Sequence, residues 1–395
     1  MDRGQRKTRL ARTRFVKRVL FAALAVWLLS AAGCAGDGNA GQTDEAGTAN
    51  GGQTADGRAT GPAGDGTGLP ETPPEDDPDL PLDEQLVSLA ETGAPVADLL
   101  KFVRVFADQA SPAEMSAMLR ILEEKQLEQV YALEDRFYED PAVQEELFGW
   151  YIKLERLPRA EDLPDGPAKR LLEDAEAGGY KVETAEGLFF PVLDYAVYKA
   201  FRSRATEDMQ AYIDLMARES DEPAVKDAAL IIPWEEVARR ALDFESFVAA
   251  YPDSPRAAMA DRLRKDYTYI TFKGVDNSPL FEREGGAMVE AALAAFKKVM
   301  AENGNGQSGA RKNGNGKGIG NGGKDAAAES RYLSDLREFV RLVEAGGGRQ
   351  TDAVRAFQDK VTEGLLDDYE KRYEDMVWPD GRTKGRSFLF GRPLI

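Results

Sequence analysis

Four polar residue–proline pairs punctuate the chain: Ser111-Pro112, Asp140-Pro141, Glu222-Pro223 and Ser254-Pro255. Proline is well placed in the first turn of a helix, where its missing N–H has no partner to lose, and the polar residue before it can cap the free amides. After Ser111-Pro112-Ala113-Glu114, a capping box, the apolar residues Met115, Leu119, Leu122, Val130, Leu133 and Phe137 fall on one helical face. Punctuation of this kind, repeated, commits the chain to helices joined by short turns. The expected fold is mainly α, built from stacked antiparallel helical hairpins. The intervals between the four starts are too irregular for a repeat array.

One segment departs from this pattern. Residues 180–192, YKVETAEGLFFPV, alternate and are rich in β-branched and aromatic side chains, and Glu186-Gly187 supplies a turn. This predicts a single small β-hairpin, with Asp194 capping the helix that follows. Tyr180, Phe189, Phe190, Tyr195 and Tyr198 form an aromatic group that is either the core beneath the hairpin or the lining of a ligand groove. A second candidate is the acidic group Glu219, Asp221 and Glu222 near Trp234. Paired carboxylates beside an indole suit glycosidase chemistry, but Glu219 to Pro223 also reads as a capped helix start.

The N-terminus has a different character. Eight basic residues (Arg3, Arg6, Lys7, Arg9, Arg12, Arg14, Lys17 and Arg18) precede the apolar run VLFAALAVWLLSAAG, which ends at Cys34, the only cysteine. The run is short for a hydrocarbon core of about 30 Å and reads as the apolar region of a secretory signal. Ala31-Ala32-Gly33-Cys34 resembles the lipobox of bacterial lipoproteins, although Ala31 stands where that family usually has Leu. The resemblance implies a diacylglyceryl thioether on Cys34, cleavage before it and anchoring at the extracytoplasmic face of a bacterial membrane. Residues 34–81 are Gly, Ala, Thr, Asp and Pro with few apolar side chains, which predicts a disordered tether.

A second resemblance covers about 25 residues. Ala241, Phe244, Phe247, Tyr251-Pro252-Asp253-Ser254-Pro255, Ala257 and Ala260 are similar to the helix–turn–helix junction of tetratricopeptide-type proteins, outer-membrane assembly lipoproteins among them. It implies an interaction scaffold with a concave helical surface.

The expected organisation is a signal peptide over 1–33, the tether over 34–81, a helical domain over 82–302, a Gly/Asn linker over 303–326, a helical hairpin over 327–378 and a tail over 379–395. In the hairpin, Leu333, Leu336, Phe339, Val340 and Val343 mark one helix. A second stripe runs from Val354 through Phe357, Val361, Leu365, Tyr369 and Tyr373 to Met376. In the linker, Gly318, Gly320 and Gly323 fit a dinucleotide-loop pattern, and Gly318 to Lys324 imitates a phosphate loop until Asp325. Neither has the preceding strand that phosphate binding requires. The tail carries Phe388, Leu389 and Phe390 among basic residues and is expected to dock on the domain.

Composition narrows the chemistry. The chain has no histidine, which removes the commonest general base and metal ligand. Neither a cofactor nor a metal is expected. The formal net charge is −18, and loss of residues 1–33 takes it near −25, so nucleic acid is an unfavourable partner. The expectation is a non-enzymatic lipoprotein that binds or scaffolds an envelope protein or polymer. The alternatives are the solute-binding subunit of an importer, which needs repeated βαβ units, and a carboxylate-dependent hydrolase of wall or polysaccharide.

Overall fold

A computed structural model describes residues 80–282, 285–303 and 330–365. Cys34, the expected tether up to residue 79, the Gly/Asn linker from residue 304 and the tail lie outside the described residues. The described part is mainly α, with twelve α-helices and only short antiparallel strand pairs.

The chain opens with α1 (Leu82–Glu91), α2 (Val96–Phe106) and the long α3 (Pro112–Glu139), which pack together. The capping box is formed: the Glu114 amide donates to Ser111 Oγ at 3.3 Å, and the Ser111 amide donates to Glu114 Oε2 at 2.9 Å. All six residues of the expected α3 stripe are buried. Asp140 then caps α4 (Pro141–Leu154), accepting from the Ala142 amide at 2.9 Å. After α5 (Pro167–Ala177), the strands β1 (Tyr180–Ala185) and β2 (Leu188–Leu193) pair with Ala185 opposite Leu188. Glu186 and Gly187 form the turn with φ of 51° and 77°, the left-handed region a two-residue hairpin demands. β2 lies against α3 and α4 and is buried along nearly its whole length.

The short α6 (Ala196–Lys199) follows, with the Ala196 amide bonded to Asp194 Oδ1 at 3.0 Å. Then comes α7 (Glu207–Asp221). Here the Glu222-Pro223 expectation fails, because the helix ends at Asp221 and the proline introduces a strand. β3 (Val225–Lys226) pairs with β4 (Ala229–Leu230) around a turn in which Asp227 and Ala228 both take positive φ, 51° and 57°. A proline that suits a first helical turn suits the entry to an edge strand equally well.

α8 (Trp234–Ala250) and α9 (Ala257–Lys273) pack against each other, joined through Tyr251 to Arg256. Ser254 is not the residue next to the first turn; α9 begins at Ala257. The serine hydroxyl instead donates to Asp208 Oδ2 of α7 at 2.7 Å and accepts from the Arg256 amide at 3.2 Å, tying the turn to the previous helix. A third strand pair, β5 (Gly274–Val275) with β6 (Ser278–Pro279), precedes α10 (Glu290–Asn303). Its Gly274 has φ of 77°, and a Cβ there would sit 2.7 Å from the Leu280 amide nitrogen.

Among the described residues there are therefore three strand pairs where the sequence predicts one. None is parallel, and no βαβ unit occurs among the described residues.

α11 (Arg331–Ala345) and α12 (Asp352–Thr362) make the final hairpin, capped by Ser330 and Thr351. α11 packs on α8 and α10, and α12 on α9. The second helix is shorter than its stripe predicts. It stops at Thr362, with Gly364 at φ 69°, so Leu365 falls past its end. Tyr369, Tyr373 and Met376 lie outside the described residues. One contiguous apolar core runs from Leu86 on α1 to Val354 on α12.

Candidate functional site

The aromatic group of the β-hairpin is core. Tyr180, Phe189, Phe190, Tyr195 and Tyr198 are all buried, so they form no open groove. Their hydroxyls are used internally. Tyr180 Oη donates to the Gln126 carbonyl at 2.8 Å, Tyr198 Oη donates to Gln126 Oε1, and Gln126 Nε2 donates to the Gly178 carbonyl at 2.7 Å. Gly179 permits this approach, because a Cβ at that position would lie 2.6 Å from Gln126 Nε2. Tyr195 Oη donates to Glu123 Oε1, which also accepts from Tyr212 Oη at 2.7 Å. The same carboxylate meets Arg256, with Nη2 2.5 Å from Glu123 Oε2. Burial, then the neighbouring Glu123 charge, holds the phenols of Tyr195, Tyr198 and Tyr212 well above the ordinary tyrosine range.

The acidic candidates divide. Glu219 is buried on the inner face of α7, and its Oε2 accepts from Tyr267 Oη and from Arg240 Nη1, the latter at 3.2 Å. Arg240 is fully buried and spans the cluster, donating from Nε to Glu236 Oε1 at 3.0 Å and from Nη1 to the Glu222 carbonyl at 2.8 Å. Burial pushes the Glu219 carboxyl above the usual range, against the downward pull of Arg240 and Tyr267. Asp221 faces outward and pairs with Lys199 at 2.7 Å and Lys181 at 3.7 Å. The Glu222 side chain is 70% exposed, with Oε2 3.6 Å from Arg240 Nη2. Trp234 is half-buried and packs edge-on against Phe296, ring centroids 6.2 Å apart.

An acid–base pair for glycoside cleavage must present both carboxylates to the sugar. Here Glu219 is sealed beneath Arg240 and Tyr267, and Asp221 is held by two lysines. The nominated acids act as ties between α7, α8, α9 and the hairpin. Among the described residues, no group of three or more Cys, Asp or Glu side chains is placed to hold a metal ion.

Sequence reasoning overlooked Glu123, Arg240, Arg256, Tyr212 and Tyr267, which carry both buried networks. The signal for two of them is legible. Glu123 stands one helical turn after Leu119 on the α3 stripe, and Arg240 stands between Val237 and Phe244 on the apolar face of α8. A charge on a buried face needs a partner, and that requirement marks it.

The apolar side chains left in solvent include Phe148 and Ile152, one turn apart on α4, together with Val105 on α2 and Ile231 after β4. Phe148 is 48% exposed and Ile152 60%. Trp150, on the same helix, is half-buried and carries Lys153 Nζ 3.8 Å above its ring. No helix of the described residues is long and apolar enough to cross a membrane.

No family model matches this chain, and neither does any curated protein or solved structure.

Proposed function

We propose that the protein is an extracytoplasmic lipoprotein of a bacterial envelope that binds or scaffolds another envelope component and performs no catalysis. The observation that carries the reading is the N-terminal arrangement: a basic segment, a 15-residue apolar run and Cys34 after small residues. Two acyl chains on the sulfur make membrane attachment stable, since each buried CH₂ contributes about 0.8 kcal/mol. The composition of residues 34–81 suits a tether that gives the helical domain reach. Support for binding over catalysis comes from the domain's own chemistry. Histidine is lacking, Glu219 and the nominated tyrosines are committed to internal pairing, Asp221 is held by two lysines at the surface, and the exposed non-polar surface includes the Phe148 and Ile152 face of α4.

Cell fractionation with detergent phase separation tests the anchor. The wild-type chain should enter the detergent phase with the membrane fraction, and Cys34→Ala should move to the aqueous phase. Equal detergent partitioning of the two proteins would overturn the proposal.

A further inference from the structure

Two buried carboxylates in this protein have partners of the same kinds, a tyrosine hydroxyl and an arginine from a later part of the chain, and they differ in how completely they are satisfied. Glu123 uses both oxygens: Oε1 accepts from Tyr195 and Tyr212, and Oε2 meets Arg256. Glu219 places Tyr267 Oη and Arg240 Nη1 on the same oxygen, Oε2, and its Oε1 is buried with no hydrogen-bond partner. Arg240 Nη2 is also buried without one, as are Nε and Nη2 of Arg218. The two arginines adjoin: Arg240 Nε is 3.0 Å and Arg218 Nε 3.7 Å from the same atom, Glu236 Oε1. Four buried polar atoms without a hydrogen-bond partner thus belong to three residues of the α7–α8 junction, although Arg240 Nη2 lies 3.6 Å from Glu222 Oε2 and Arg218 Nε 3.7 Å from Glu236 Oε1. Buried polar groups are nearly always satisfied, by protein or by ordered solvent.

The leftover groups define what fits. The arginines offer N–H donors and Glu219 offers an acceptor, so an occupant needs both a lone pair and a hydrogen to donate. An anion is disfavoured, because Glu219, Glu222, Glu236 and Asp243 outnumber Arg218 and Arg240, and a cation would find a single unpaired oxygen, Glu219 Oε1, beside guanidinium groups that repel it. A small neutral hydroxyl compound meets both requirements, and water is the smallest.

We propose that this corner is an internal hydration site, where one water donates to Glu219 Oε1 and accepts from Arg240 Nη2, with Arg218 supplying a further donor. The water completes the junction of α7, α8 and α9. The exposed Glu222 side chain, beside Arg240 Nη2, gives it a route of exchange with solvent.

Oxygen-17 relaxation dispersion on the full chain counts water molecules with long residence. The wild type should show a contribution that falls by about one water in the Glu219→Leu/Arg240→Leu double variant, which removes the polar atoms while keeping apolar bulk. An unchanged contribution would overturn the site. If the double variant loses helical structure by circular dichroism, a crystal structure of the wild-type full chain decides the matter. An ordered solvent oxygen within hydrogen-bond distance of Glu219 Oε1 and Arg240 Nη2 supports the proposal, and any other arrangement at those two atoms overturns it.

Discussion

Arg256 Nη2 lies 2.5 Å from Glu123 Oε2, joining the residue just before α9 to the middle of α3. The same Nη2 donates to the Arg120 carbonyl at 3.0 Å, and the guanidinium carbon stands 5.7 Å from the centre of the Tyr212 ring. The pair fixes the α8–α9 turn against the N-terminal helices. Removing one partner strands the other charge in the core, so Arg256→Met and Glu123→Gln should each cost about 3–5 kcal/mol by urea denaturation. The double variant should cost less than the sum of the two. Additive single effects would show that the two side chains are not coupled.

Alkaline titration reports on both networks. The phenols of Tyr180, Tyr195, Tyr198, Tyr212, Tyr267 and Tyr332 are pushed above the ordinary value of 10.0, first of all by burial. Phenolate absorbance should therefore show fewer than the 13 tyrosines ionising near pH 10 in the native chain, with the remainder appearing only on unfolding. The sign of the linkage follows. A folded-state pKa raised above the unfolded value leaves stability intact below about pH 10 and erodes it as pH climbs beyond. Ionisation of all 13 in one step with the fold intact would contradict the buried placement.

The backbone at two turns makes opposite predictions for the same pair of residue types. Ala228 sits at φ 57°, a region costly for a residue with a Cβ, so Ala228→Gly should stabilise by up to about 1 kcal/mol. Gly274 sits at φ 77° with the Ser278 carbonyl oxygen 2.8 Å from where a Cβ would be, so Gly274→Ala should destabilise by more than about 1 kcal/mol. Thermal unfolding of the two variants checks both directions.

The α3 cap gives a local test. Ser111→Ala removes the acceptor of the Glu114 amide and should cost about 1 kcal/mol. Helix α3 should otherwise stay intact, since its buried stripe carries most of its stability. A loss near zero by chemical denaturation would mean that solvent replaces the hydroxyl.

These outcomes bear on how much of the molecule its sequence discloses. The helices were legible where cap and period agree, as at Ser111 with the α3 stripe and at Thr351 with Val354. The β1–β2 hairpin was legible because Glu186-Gly187 falls between alternating runs. The pairs β3–β4 and β5–β6 were not, since two-residue strands are too short for alternation to register. Glu222-Pro223 misled because proline fixes φ without saying whether a helix or a strand follows. The buried networks were hidden for another reason. Tyr195, Tyr212 and Tyr267 read as apolar positions, and the charges they meet are distant along the chain, so only the fold brings hydroxyl and carboxylate together. The acidic candidates Glu219, Asp221 and Glu222 stand close in sequence, yet the helix end points the first inward and the others to solvent.

The central claim is a lipid-anchored envelope protein, and mass spectrometry of the mature N-terminal peptide tests it most directly. The account predicts a chain beginning at Cys34 with a diacylglyceryl thioether on its sulfur. A chain that keeps residues 1–33 and an unmodified Cys34 would contradict it.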